Sequence, residues 1–450
     1  MTVIAQVNVQ QEINMKNALF SLILVSYFTS GSMASEQTSK LTLAEIENQA
    51  LTASYGLKAM DAEVNALKNK AEIQNAQLFP RIALEGNYKY ITEVPTLRFP
   101  GGASTAFGDN QNYSIGPVLT WTAWDFGSIK KSAKGIEALE KSKEAEQILT
   151  TRQILLSARL AYFKVQLRQE QLRLLTDSLK LAESQYRDIK NRVQAGSSNR
   201  IDLLSAHKEV LNFKIQSRQV QSDLSSDLRD LFALTGQGES SDSAAPIELD
   251  DFETSLATLS KYASVTLDAN SLDQHPLIKM HTSNAESSRL LAESFNANKL
   301  PKLSIFAKTS LDYPNGPILE KFHQNTIGLT LSMPLFEGNR SKNEANEKQN
   351  FAIASENRRE QARTDLLRDW HKMKDQLIGH QDKIEIYKKS INESEERAKL
   401  VYNSYQIGRS SFLEVQSANL YALDIKVQTK TNDVQMLIQL AYLASISEEQ

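Results

Sequence analysis

The chain has 450 residues, with 51 basic and 54 acidic side chains and no cysteine. The near balance of charge gives no bulk electrostatic case for a nucleic-acid partner. The missing cysteines exclude disulfides, thiolate metal sites, a cysteine nucleophile and an acylated N-terminal cysteine. Only 17 Gly and 10 Pro punctuate this length, a composition that favours helix.

In chain order, Met15-Lys16-Asn17 precedes an apolar run from Ala18 to Phe28, followed by small residues around Ala34. A basic start, a short apolar core and a small-residue site describe a secretory signal peptide over 15–34, with 1–14 as an upstream extension. The apolar run is too short to span a bilayer as a helix, which takes about 20 residues. The mature protein is therefore expected to leave the cytoplasm without a helical anchor.

A helix is expected over about 42–78, ended by Pro80. Beyond it the apolar period falls to two. Ile82, Leu84, Tyr88 and Tyr90 alternate with Arg81, Glu85, Asn87 and Lys89. Tyr113, Ile115, Leu119 and Trp121 alternate with Asn112, Ser114, Thr120 and Thr122. These read as strands over about 81–91 and 112–124. Strands of about ten residues cross a bilayer when tilted, although a half-buried sheet on a soluble core would alternate in the same way.

From Ser128 to Gln194 the period becomes seven: Ala158, Val165, Leu172, Leu179, Tyr186 and Val193, with Leu175, Ala182 and Ile189 three further on. A sustained heptad repeat makes a left-handed coiled coil. At 1.5 Å per residue the helix is on the order of 100 Å long, beyond an ordinary globular core. A turn at 195–199 carries Ala195-Gly196-Ser197, and a helix returns to about 235 with Leu203, Val210, Leu224 and Leu231 in heptad spacing. An acidic segment, 236–275, reads as a linker or equatorial piece.

The pattern then repeats. A helix over 276–299 ends at Pro301, and strands follow over about 302–313 (Leu303, Ile305, Ala307, Leu311, Tyr313) and 326–335 (Ile327, Leu329, Leu331, Met333, Leu335). The second long helix, about 340–406, carries Trp370, Leu377, Ile384, Ile391, Ala398 and Tyr405 seven apart. A turn at 407–411 with Ile407-Gly408-Arg409 leads into the last helix. Gly408 follows Gly196 by 212 residues, and the same offset carries Trp124-Asp125 onto Phe336-Glu337. The chain is thus a duplicated helix–strand–strand–long helix–turn–helix unit, 35–235 and 276–450. Tyr88, Tyr90, Trp121, Trp124, Tyr313 and Phe336 are placed to act as aromatic anchors at a membrane interface. Four strands cannot close a barrel and lipid tolerates no open sheet edge, so several copies must assemble.

In this order and duplicated spacing the chain resembles the TolC-type outer-membrane channel-tunnels, from about Leu41 to Ser447. The resemblance implies a homotrimer: a 12-stranded β-barrel in outer-membrane lipid, on a long α-helical coiled-coil barrel in the periplasm of a Gram-negative bacterium. It implies a passive exit duct for efflux or type I secretion. The duct would open when docked to a periplasmic adaptor and an inner-membrane transporter of the RND or ABC type. The two glycine turns would form the closed periplasmic tip and the adaptor contact. Some members carry two acidic residues at the second turn; Glu414 matches the first, and Ser417 stands at the second. Tyr405 matches a family aromatic near the tip.

Asp202 and Glu414 occupy matching places after the two turns, and with Tyr405 they are the candidate gate. Ser411-Phe412-Leu413-Glu414 is also a capping-box pattern, so Glu414 is either a cap alone or a cap that also lines the lumen. The six histidines show no metal-ligand spacing. No nucleophile elbow, phosphate loop or carboxylate pair appears, so neither an enzyme nor a cofactor is expected. A non-channel periplasmic tether or adhesin-like stalk would share the helices, but it has no use for the strand alternation or the aromatic positions.

Overall fold

A computed structural model describes residues 41–237 and 249–447, so the signal segment and the centre of the acidic stretch lie outside the described residues. Helix α1 (Leu43–Ala53) opens on a reciprocal capping box between Thr42 and Glu45. Helix α2 (Tyr55–Ala76) follows at once. The single helix expected over 42–78 is therefore broken, because the Ser54 hydroxyl accepts from the Leu57 amide and caps a new start.

Strand β1 (Arg81–Tyr90) and strand β4 (Gln111–Trp124) are joined through a small hairpin, β2 (Thr96–Arg98) and β3 (Ser104–Ala106). In the second repeat, β5 (Lys302–Tyr313) and β6 (Phe322–Ser332) form the matching pair. Strand β6 starts four residues before the expected 326 and stops at Ser332 rather than 335. After Phe322 its residues are polar as far as Thr326, so their pairing with β5 up to Asp312↔Phe322 left no apolar alternation to read. The four long strands make one antiparallel sheet in the order β1-β4-β5-β6, with β1 and β6 at its edges.

Helix α3 (Ser128–Gln194) and helix α8 (Arg340–Gln406) have 67 residues each; helix α4 (Arg200–Thr235) and helix α9 (Phe412–Ser447) have 36 each. Each long helix thus folds back on a shorter one. The buried positions follow the heptads: Ala158, Val165, Leu175, Ala182 and Ile189 on α3, and Trp370, Leu377 and Tyr405 on α8. Asp125 caps the start of α3, accepting from the Gly127 and Ile129 amides. At the equivalent start of α8, Glu337 accepts from the Ser341 hydroxyl.

Between the repeats, the described part of the acidic segment is helical rather than a plain linker. Helix α5 (Phe252–Leu259) and helix α6 (Ala269–Gln274) bury Leu259 and Leu272. Asp251 and Asp268, which read as linker acids, are their N-caps. Helix α7 (Pro276–Ala297) packs on both α3 and α8. It begins with Pro276 at its first position and with His275 Nδ1 accepting from the Leu277 amide. Ser128 and Ser294 exchange hydrogen bonds between α3 and α7, each hydroxyl reaching the other's carbonyl. Among the described residues no helix is long and apolar enough to cross a membrane.

Candidate functional site

Two regions carry the residues singled out in the sequence: the pair of turns and one face of the sheet. Both long helices end in the same way. The Ser197 amide donates to the Arg192 carbonyl at 2.8 Å and the Gly196 amide to Val193; the Arg409 amide donates to Ser404 at 2.9 Å and the Gly408 amide to Tyr405. Each is a Schellman stop, which places one residue in the left-handed region. Gly196 and Gly408 hold φ of 75° and 77°. Around them Ala195, Ser197, Ile407 and Arg409 are exposed, with Ile407 67% exposed despite its apolar side chain.

The two turns lie together. Arg192 Nη1 donates to the Gln406 carbonyl at 3.0 Å, tying the end of α3 to the end of α8. Arg192 Nε and the Tyr402 hydroxyl both donate to Asp188 Oδ2, at 3.2 and 3.0 Å. One step beyond, the Tyr405 hydroxyl donates to Asp202 Oδ2 at 3.1 Å, with Ser198 Oγ 3.2 Å from the same hydroxyl. Ile189, Ala206, Tyr405, Phe412 and Val415 form a small core beneath these bonds, drawn from all four helices. Burial is the main cause raising the pKa of both tyrosines, aided by the Asp188 and Asp202 carboxylates, so both stay protonated donors.

The candidate gate therefore divides. Asp202 and Tyr405 meet across the hairpins. Glu414 is exposed and makes the full capping box, accepting from the Ser411 amide at 2.8 Å while Ser411 Oγ accepts from the Glu414 amide. At Asp202 the imitation is half complete: Asn199 caps the Asp202 amide, but the Asp202 carboxylate turns to Tyr405 and Ser198 instead. Asp188, Arg192, Ser198 and Tyr402 were missed in the sequence. For Asp188 and Arg192 the 212-residue offset carried a signal, setting them against Leu400 and Ser404, whereas Ser198 stands against Ser410 and carried none. Polar side chains in one repeat facing apolar or neutral ones in the other mark contacts between repeats.

On the sheet, register gathers the alternating apolar residues on one side. Ile82 pairs with Leu119, Leu119 with Ala307 and Ala307 with Ile327. A row of aromatics, Tyr88, Tyr113 and Tyr313, crosses one end, where Tyr113 and Tyr313 stack with centroids 5.0 Å apart. Tyr90 follows Tyr88 on the same side. Trp121, Trp124 and Phe336 sit at the end nearer the long helices; Trp121 donates its indole N–H to the Leu78 carbonyl, while Phe336 is 93% exposed. Most of this apolar face is uncovered in a single chain, with Ile327 81% and Leu331 71% exposed. Three histidines serve packing: His207 stacks on Tyr186, His371 meets Trp370 edge-on, and His380 lies within hydrogen-bonding distance of Asn432.

A sequence model of the outer membrane efflux protein family matches residues 47–237 and 269–447. More than half of the chain is covered, and the chain belongs to that family. It is 27% identical over 213 residues to TtgC of Pseudomonas putida, described as a probable efflux pump outer membrane protein; the match covers 46% of this chain and 42% of TtgC. It is 24% identical over 294 residues to PrtF of Dickeya chrysanthemi, described as a proteases secretion protein, covering 63% of this chain and 61% of PrtF. The aligned region thus spans less than two thirds of either relative. The fold is similar to that of the outer membrane protein VceC of Vibrio cholerae, with a TM-score of 0.74 at 15% identity over 90% of this chain and 96% of VceC.

Proposed function

We propose that three copies close their sheets into one 12-stranded barrel in the outer membrane, with the helices forming a periplasmic tunnel. The assembly is a passive exit duct for a tripartite efflux or type I secretion system. The observation that carries this reading is the sheet: an exposed apolar face over four strands that end in two unpaired edges, β1 and β6. Lipid accepts an apolar face and rejects an open edge, so closure by further copies satisfies both conditions. From Tyr113 to Trp124 is eleven residues, about 37 Å along a strand. Tilted by about 45°, that is roughly 26 Å, the height of an outer-membrane apolar band.

In this reading Tyr88, Tyr90, Trp121, Trp124, Tyr313 and Phe336 mark the two lipid interfaces. The exposed turns, Ala195-Gly196-Ser197 and Ile407-Gly408-Arg409, meet a periplasmic adaptor, which links the duct to an RND or ABC transporter in the inner membrane. Asp202 and Tyr405 hold the closed tip, and Glu414 adds negative charge at its mouth. Native mass measurement of the detergent-solubilised protein tests the assembly: a species of three times the chain mass is expected. A stable monomer that inserts into bilayers would overturn it.

A further inference from the structure

Between the two hairpins, a short way from the turns, α3, α4, α8 and α9 line a cavity of about 420 Å³ that is open on one side, within the range of small-molecule sites. Leu174, Ala182, Phe213, Ala422 and Leu423 give it an apolar lining. Glu209 on α4 also lines it. This side chain is 4% exposed, and neither carboxylate oxygen has a hydrogen-bond partner. The nearby Gln416 carboxamide donates to the Ser205 carbonyl, and Gln185 accepts from Asn419. A buried carboxyl without a partner is costly in either protonation state, and most costly when ionised.

The other charged groups lining the cavity are Asp177, Glu395, Lys399 and Lys426. Lys426 is held by Glu395 at 2.5 Å, and Asp177 lies 3.8 Å from both Arg173 and Lys180. None of these cations bonds to Glu209. The carboxylates of Asp177, Glu209 and Glu395 do not converge: among the described residues no group of three or more acidic or histidine side chains is placed to hold a metal ion. A neutral apolar guest would fill the volume and leave the acid unpaired.

We propose that this cavity is a binding site for a compact lipophilic monoamine, with its hydrocarbon body against Leu174, Phe213 and Leu423 and its ammonium on Glu209. The inference goes beyond the export reading and does not depend on the membrane or the trimer. Glu209 already lines the cavity, where the ammonium supplies the donor that its carboxylate lacks. Burial raises the Glu209 pKa, with Gln416 partly opposing the shift. The acid must lose its proton to pair with the cation, so affinity rises with pH as Glu209 ionises. An occupant also bridges both hairpins, because the lining comes from all four helices.

The test is calorimetric titration of the full chain in detergent with 1-aminoadamantane, and with 1-adamantanol as its uncharged counterpart. Saturable binding of the amine is expected, at least about tenfold tighter than the alcohol, as for a charge pair against a neutral contact. Glu209→Gln should lower amine affinity at least about tenfold and remove its rise with pH. Asp177→Asn, at the rim, should change affinity less than about twofold. Ala422→Leu narrows the cavity while leaving Glu209 in place, and it should weaken binding at least about tenfold even if the Glu209 variant folds poorly. The proposal is overturned by equal affinity for amine and alcohol, by unchanged binding in Ala422→Leu, or by no saturable binding to the wild-type chain.

Discussion

The Tyr405 hydroxyl on α8 donates a 3.1 Å hydrogen bond to Asp202 Oδ2 on α4, joining the second hairpin to the first at their shared end. The bond is charge-assisted and stands over a core that includes Phe412, whose ring centroid is 5.5 Å from that of Tyr405. Tyr405→Phe keeps the ring and removes the donor. It should destabilise the tip by about 1.5–3 kcal/mol, the net worth of a hydrogen bond to a charged group. Hydrogen exchange of amides near 189 and 412 should accelerate while amides in the upper helices stay unchanged. Equal acceleration throughout would mean that the bond does not act locally.

The turn glycines give a second expectation. At Gly196 and Gly408 an added Cβ meets no atom within 4 Å, so a side chain there is opposed by backbone conformation alone. A β-branched residue at positive φ costs roughly 1–2 kcal/mol per site. The double substitution with Val should distort both Schellman stops and abolish export while trimer and barrel remain. Normal export by that variant would remove the turns from the docking surface.

Glu414 separates cap from charge. Glu414→Gln retains a side chain able to accept from the Ser411 amide and removes the negative charge. Single-channel cation selectivity should fall with thermal stability unchanged, whereas Glu414→Ala should lower stability as well. Unchanged selectivity in the Gln variant would leave Glu414 as a helix cap alone.

A fourth expectation concerns pH. His275 is buried, and its pKa is lowered from 6.5 to about 4, by burial first and by the Arg152 charge second. A depressed folded pKa contributes stability that is present above the unfolded value and lost as pH falls through the folded one. The difference corresponds to about 3 kcal/mol, lost between pH 6.5 and about 4. His275→Asn keeps a cap for the Leu277 amide and does not titrate there. Its stability should vary less across that window; an identical pH profile in both proteins would exclude His275 as the source.

Much of this was readable from periodicity, because long helices and strands with one apolar face repeat one simple spacing. Heptads marked the buried rows of α3 and α8, and alternation marked the residues that register gathers on one face of the sheet. Features set by single polar atoms were less legible. Ser54 sits inside an apolar rhythm and breaks a helix only through one cap bond. Asp251 and Asp268 look like linker acids until their amide partners are in place. The likeness of Asp202 and Glu414 shows only part of the arrangement, because a repeat offset compares equivalent places in the two hairpins and says nothing of contacts between a residue and the hairpin opposite its own. Tyr405, which captures Asp202, comes from the other one.

The central claim is a duct closed at its paired turns, and single-channel conductance in planar bilayers tests it most directly. Purified wild-type protein should insert as discrete, low-conductance steps. The double variant Tyr402→Phe/Tyr405→Phe removes the two tyrosine donors that join the second hairpin to Asp188 and Asp202 of the first, and it should give steps several-fold larger at the same trimer mass. Inserted trimers that conduct nothing in either form, or steps of equal size in both, would contradict the account.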